Sequence, residues 1–133
     1  MPNWCNNELK IYGDDKQLKK FIKKAKGTKK DKSDLVMNNL LPLPKEKDGD
    51  WDDWQVKNWG TKWDIEATLA FEDEGIAEYY FNSAWSPPIQ FFENISKKYP
   101  DLVFVLKYDE AGAGFTGVAK VQNGEVNDKF IEY

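Results

Sequence analysis

The chain contains no histidine and no arginine; all 19 basic residues among its 133 are lysines. Without imidazole there is no Ser–His or Cys–His pair, no histidine metal ligand, and no use of the commonest general base near neutral pH. Without guanidinium there is no bidentate fork for phosphate or carboxylate and no arginine finger. The single cysteine, Cys5, excludes an internal disulfide. It fits a reducing compartment, so a cytoplasmic location is expected. Long apolar runs are missing and the mean hydropathy is -0.74, which excludes a transmembrane helix and makes membrane association unexpected. Residues 1–6 carry no basic stretch leading into an apolar one, so no signal peptide is expected. Chemistry on this chain rests on carboxylates, lysine, tyrosine or one thiol, and neither a metal nor a cofactor is expected.

What the chain has in excess is aromatic carbon. Phe 8, Tyr 6 and Trp 6 make up 15% of it, and Trp51, Trp54, Trp59 and Trp63 fall within 13 residues. Charge is uneven. Residues 1–32 hold 10 Lys and 4 acids, whereas residues 33–133 hold 9 Lys and 19 acids. The length fits one domain, and residues 1–133 are read as one, with about two-thirds of the unfolded surface buried on folding.

Residues 3–12 alternate, with Cys5, Leu9 and Ile11 on one face and Asn6, Glu8 and Lys10 on the other, which predicts a strand. Asp14 with Gln17 three residues on forms a capping-box start for a helix over 14–26. Leu18, Phe21, Ile22 and Ala25 are its buried stripe, lysines cover its outer face, and Gly27 caps its end. Residues 28–34 read as a polar loop, 35–44 as an extended buried segment with two prolines, and 45–53 as an exposed charged loop. A short helix over 51–58 carries Trp51 and Trp54. Residues 64–72 alternate again, with Ile65, Ala67, Leu69 and Phe71 inward and Asp64, Glu66 and Thr68 outward; they pair with 77–83 as a hairpin. Ser86 is the expected N-cap of a helix ending before Pro100. Residues 102–108 read as a central strand. Residues 115–121 and 126–131 form a last hairpin turning at Asn123-Gly124.

The order β-α-loop-β-β-α-β-β-β predicts an α+β fold. It is a ferredoxin-like antiparallel sheet with two helices packed on one face, plus an extra C-terminal hairpin strand. Four strings mark the chain further: Met1-Pro-Asn-Trp-Cys-Asn-Asn7, Asn58-Trp-Gly-Thr-Lys-Trp-Asp64, Ala84-Trp-Ser-Pro-Pro88, and Leu106-Lys-Tyr-Asp-Glu110 followed by Gly114-Phe-Thr-Gly117. In this order they resemble the YubB-like family of ferredoxin-like domains, borne by plasmids, phages and other mobile elements. The resemblance spans nearly the whole chain and implies a ferredoxin-like fold but no established activity, so it transfers no catalytic residue. The lysine-rich segment 16–32 departs from it. The name describes shape only, since an iron–sulfur cluster needs about four thiolates.

The leading candidate site is a tryptophan-rich rim of Asn3, Trp4, Trp59, Gly60, Trp63, Asp64 and Trp85, at element ends expected to converge. Apolar walls with a few polar anchors suit a small ligand, and tryptophan suits a protein interface. The competing reading makes these tryptophans core that closes over a long loop. Cys5 points inward and has no base, so it reads as a buried thiol rather than a nucleophile. Asp64, Glu66, Asp109 and Glu110 are candidates for carboxylate catalysis. Asp48, Asp50, Asp52 and Asp53 form the densest acidic cluster, which reads as a solvated loop. Lys19, Lys20, Lys23 and Lys24 offer a nucleic-acid surface, which the acidic remainder of the chain disfavours. The expectation is a non-enzymatic binding module whose rim holds a protein partner or small ligand. The alternatives are a nucleic-acid accessory factor and a carboxylate enzyme. A homodimer is compatible with all three.

Overall fold

The computed structural model describes residues 3–45 and 51–133. Strand β1 (Trp4–Gly13) leads into helix α1 (Asp15–Ala25), a single turn α2 (Met37–Leu40) and helix α3 (Trp51–Trp59). The hairpin β2 (Ala67–Asp73) and β3 (Ile76–Ala84) follows, then helix α4 (Ile89–Ser96) and strands β4 (Leu102–Glu110), β5 (Phe115–Gln122) and β6 (Glu125–Glu132). The six strands form one sheet in the order β2-β3-β1-β4-β5-β6, and every neighbouring pair is antiparallel. The predicted α+β ferredoxin-like sheet with an added C-terminal strand is the observed one. No helix among the described residues is long and apolar enough to cross a membrane.

Alternation along β1 buries Cys5, Asn7, Leu9 and Ile11, with α1 packed on β1 and β3 and α4 on β4 and β5. Leu18, Phe21 and Ala25 close the core from α1, and Phe91, Phe92 and Ile95 from α4. Each of these leucine, isoleucine and phenylalanine side chains contributes roughly 1.5–3 kcal/mol on leaving water. Phe21 lies at the centre, edge-on to Tyr99 at 5.4 Å and near Phe104 at 5.5 Å between ring centroids.

Several local expectations change. Asp14 does cap α1, accepting the Gln17 N–H at 3.0 Å. The Gln17 side chain, however, bonds Asp101 across the fold rather than closing the box. The helix cap is Lys26, one residue before Gly27. Segment 35–44 is not wholly extended, because the Asp64 carboxylate accepts the N–H groups of Met37 and Asn38 and starts the turn α2. The cap of α4 is Pro88; the Ser86 hydroxyl donates to the Gly60 carbonyl instead. Phe71 is not inward. A bulge between Leu69 and Phe71 inserts one residue, so Phe71 falls opposite Glu78 and is exposed. Of the predicted loop 45–53, residues 46–50 lie outside the described residues, while 51–53 open α3.

Candidate functional site

Both packed helices lie on one side, so the other side of the sheet is open. The alternation that buries Cys5, Asn7 and Leu9 turns Trp4, Asn6, Glu8 and Lys10 onto this open face. The register then builds rows across the strands. Asn6 sits between Asn82 of β3 and Asp109 of β4, and Asp109 faces Thr116 of β5. One step along, Glu8 sits between Tyr80 and Lys107, and Lys107 faces Val118. Together with Glu66 these side chains line a hollow of ≈ 700 Å³. A second hollow of ≈ 390 Å³, lined by Trp4, Asp64, Glu66 and Asn82, shares Glu66 and Asn82 with the first. The two form one groove running from the tryptophans toward β5.

The tryptophans do not act as one group. Trp4 (49% exposed) and Trp63 (41% exposed) meet at the groove's end, with ring centroids 6.3 Å apart at 51°. Lys62 Nζ lies 5.5 Å from the Trp63 ring centroid and 3.7 Å from Asp52. Trp85 is also exposed, but its backbone holds a left-handed φ of 70°. That conformation is rare for a bulky residue and costs on the order of 1–3 kcal/mol. Its neighbours pin it. Trp85 N–H donates to the Asn3 carbonyl at 2.9 Å, the Thr61 hydroxyl to the Ala84 carbonyl at 2.7 Å, and the Ser83 hydroxyl to the Ser86 carbonyl at 2.6 Å.

Trp59 leaves the candidate list. It is 0% exposed, packs edge-on against Trp54 and donates Nε1–H to the Leu41 carbonyl at 3.0 Å. Gly60 leaves it too. With φ of 80° it ends α3, its N–H donating to the Gln55 and Val56 carbonyls. A Cβ there would lie 3.2 Å from the Gln90 nitrogen, so Gly60 lets the chain pass beneath α4. The Asn3 side chain lies against Gly112 in the β4–β5 turn, outside the groove lining. Asp64 lines the groove's end and also serves the fold, since its carboxylate accepts from Met37, Asn38 and Ile65. Burial raises its pKa and the three amide bonds oppose the rise.

Asp109 and Glu110 do not form a catalytic pair. They alternate to opposite faces; Asp109 accepts the Tyr133 hydroxyl at 2.9 Å, while buried Glu110 accepts the Ala113 N–H. Glu66 and Asp109 line the same hollow, on parts of the sheet separated by β3 and β1. Asp48 and Asp50 lie outside the described residues. Burial pushes the Cys5 thiol up to about 12, so it stays protonated and inert at neutral pH. Lys20, Lys23 and Lys24 are exposed on α1, and Lys19 pairs with Asp15 at 2.9 Å, which raises the Lys19 pKa. Asn6, Glu8, Tyr80, Asn82 and Lys107 enter the site only with the sheet. Their outward phase on three strands was the available signal, but only the strand order brings them together.

Residues 58–133 match the family model described as the ferredoxin-like domain in Api92-like protein. The chain is also similar to the crystal structure of a protein Api92 from Yersinia pseudotuberculosis, over 100% of this chain and 98% of that one. The TM-score is 0.64 at 10% sequence identity, a likeness of fold. No curated protein matches the sequence.

Proposed function

The chain belongs to the family of ferredoxin-like domains in Api92-like proteins, and from that premise we propose that it is a non-enzymatic binding module whose open sheet face holds a protein partner. The observation that carries this reading is the groove itself. The side chains of Asn6, Asn82, Glu8 and Glu66 line it without a hydrogen bond or ion pair to any described residue, and exposed Trp4, with Trp63 against it, walls one end. Polar groups awaiting partners beside exposed tryptophan are the makings of an interface hot spot. In this reading the chain works in the cytoplasm as an accessory protein of a mobile element, the setting that its YubB-like strings imply.

The test is capture by the immobilised chain, compared across variants shown to be folded by circular dichroism. A partner lost with Trp4→Ala and with Asn6→Ala/Asn82→Ala, yet retained with Lys20→Glu/Lys23→Glu/Lys24→Glu, is the expected result. The reverse pattern, sensitive to nuclease, would hand the function to α1 and nucleic acid.

A further inference from the structure

Resting on that reading of the open face, we infer that the groove takes an extended, cationic segment of a partner protein, one bearing lysine or arginine. Charge points this way first. Glu8, Glu66 and Asp109 line the larger hollow and Asp64 adjoins it, against one cation, Lys107. Lys120 and Lys129 lie across β5 and β6, away from the tryptophan end, where Lys62 is itself paired with Asp52. A polyanion such as a nucleic-acid backbone would set its phosphates against these carboxylates.

The rim supplies the second observation. The chain already seats an ammonium, that of Lys62, over the Trp63 ring, and the Trp4 ring stands beside it with its surface free for another cation. An ammonium or guanidinium over tryptophan is held by the ring quadrupole, and more strongly where a carboxylate lies near.

The third observation is spacing. Glu66, Asn82, Asn6 and Asp109 lie on or beside four adjacent strands. At about 4.8 Å between strands the row is about 14 Å long, the reach of about four extended residues. The central pair are amides, each offering donors and an acceptor to a peptide backbone. The outer pair are carboxylates, which take cationic side chains. The row therefore has the polarity of an extended peptide with basic residues toward its ends.

The experiment titrates the full chain with a fluorescent, end-blocked oligolysine peptide, with the same peptide acetylated on its lysines, with an oligoglutamate peptide, and with an oligothymidylate strand. The lysine peptide is expected to saturate and to bind about tenfold more tightly than its acetylated form. The charge-removing pair Glu66→Gln/Asp109→Asn should weaken it about tenfold, whereas Glu72→Gln/Asp73→Asn at the far end of β2 should not. Equal affinity for the acetylated peptide, lost with Trp4→Ala, would overturn the cationic partner while leaving the open face as a binding surface. Preference for oligoglutamate or oligothymidylate would overturn it as well. Saturable binding to none of the probes would remove the cationic inference, with the capture experiment still deciding the broader one. Self-association abolished by Glu66→Gln/Asp109→Asn would replace the partner protein with a second copy.

Discussion

Trp59 and Trp63 stand four positions apart in the same Trp-rich string, and the structure assigns them opposite fates. Trp59→Ala should therefore destabilise strongly a fold that Trp63→Ala barely affects. Trp59 is fully buried, and removing a buried tryptophan costs about 3–5 kcal/mol through lost burial and the cavity left behind. Its Nε1 bond to the Leu41 carbonyl disappears as well, orphaning that acceptor for about 1 kcal/mol more. Against a total stability of roughly 7–20 kcal/mol for a chain of this length, that loss is large. Trp63 keeps 41% of its surface in water, and its ring contacts are with Trp4, itself exposed, and Lys62, about 1 kcal/mol or less in all. Urea unfolding followed by far-ultraviolet circular dichroism separates the two without relying on indole fluorescence. With a slope near 2 kcal/mol per molar, the Trp59→Ala midpoint should fall by about 2 M and the Trp63→Ala midpoint by at most about 0.5 M. Midpoints within about 0.5 M of each other would refute the assignment of Trp59 to the core.

Gly117→Ala should destabilise by roughly 2 kcal/mol through overpacking. The new Cβ would stand 2.6 Å from the Lys129 carbonyl oxygen, which is backbone, and would meet the Tyr108 hydroxyl; an unchanged urea midpoint would show that β5 and β6 have room. Cys5 gives a pH dependence. Its folded pKa of about 12 lies above the ordinary value of 9.0, so the unfolded state ionises first and stability falls as pH rises from about 9 toward 12. The Cys5 part of the loss by pH 10 is about 1 kcal/mol, and that part should vanish in Cys5→Ala, leaving the part due to buried tyrosines such as Tyr79 and Tyr108; identical slopes for the two proteins between pH 8 and 10 would contradict it.

Much of the fold was legible because local pattern and tertiary burial agree. The alternation in 3–12, the stripe Leu18, Phe21 and Ala25, and the Asn123-Gly124 turn each survive into the structure. Failures occur where a distant group intervenes. The Asp64 carboxylate creates α2 from a segment with little helical pattern of its own. The bulge in β2 reverses the phase that Ile65 and Ala67 establish, so Phe71 turns outward. The tryptophans could not be sorted by type. In α3 the buried partner of Trp59 one turn back is Gln55, a polar residue that hides the helix's inner face from a hydrophobicity reading. The groove was less legible still, because alternation marks a residue as outward but does not say which strands are neighbours.

The central position of β1 also bears on how the chain comes together. Its first strand has no local partner: Tyr12 pairs with Ile76 and Asn6 with Asp109, so both of its edges wait for sequence made much later. Closing loops of that length costs roughly 3–4 kcal/mol each in chain entropy before any contact repays it. The two later hairpins, β2–β3 and β5–β6, form from neighbouring sequence, while the sheet as a whole is completed only when β1 slots between β3 and β4. Such long-range closure belongs to the slow, millisecond-to-second class of folding reactions. A fragment starting at residue 58 would keep both hairpins yet hold an empty slot at the middle of its sheet. Strand β1 is in this sense the keystone, joined on both edges to strands far along the chain.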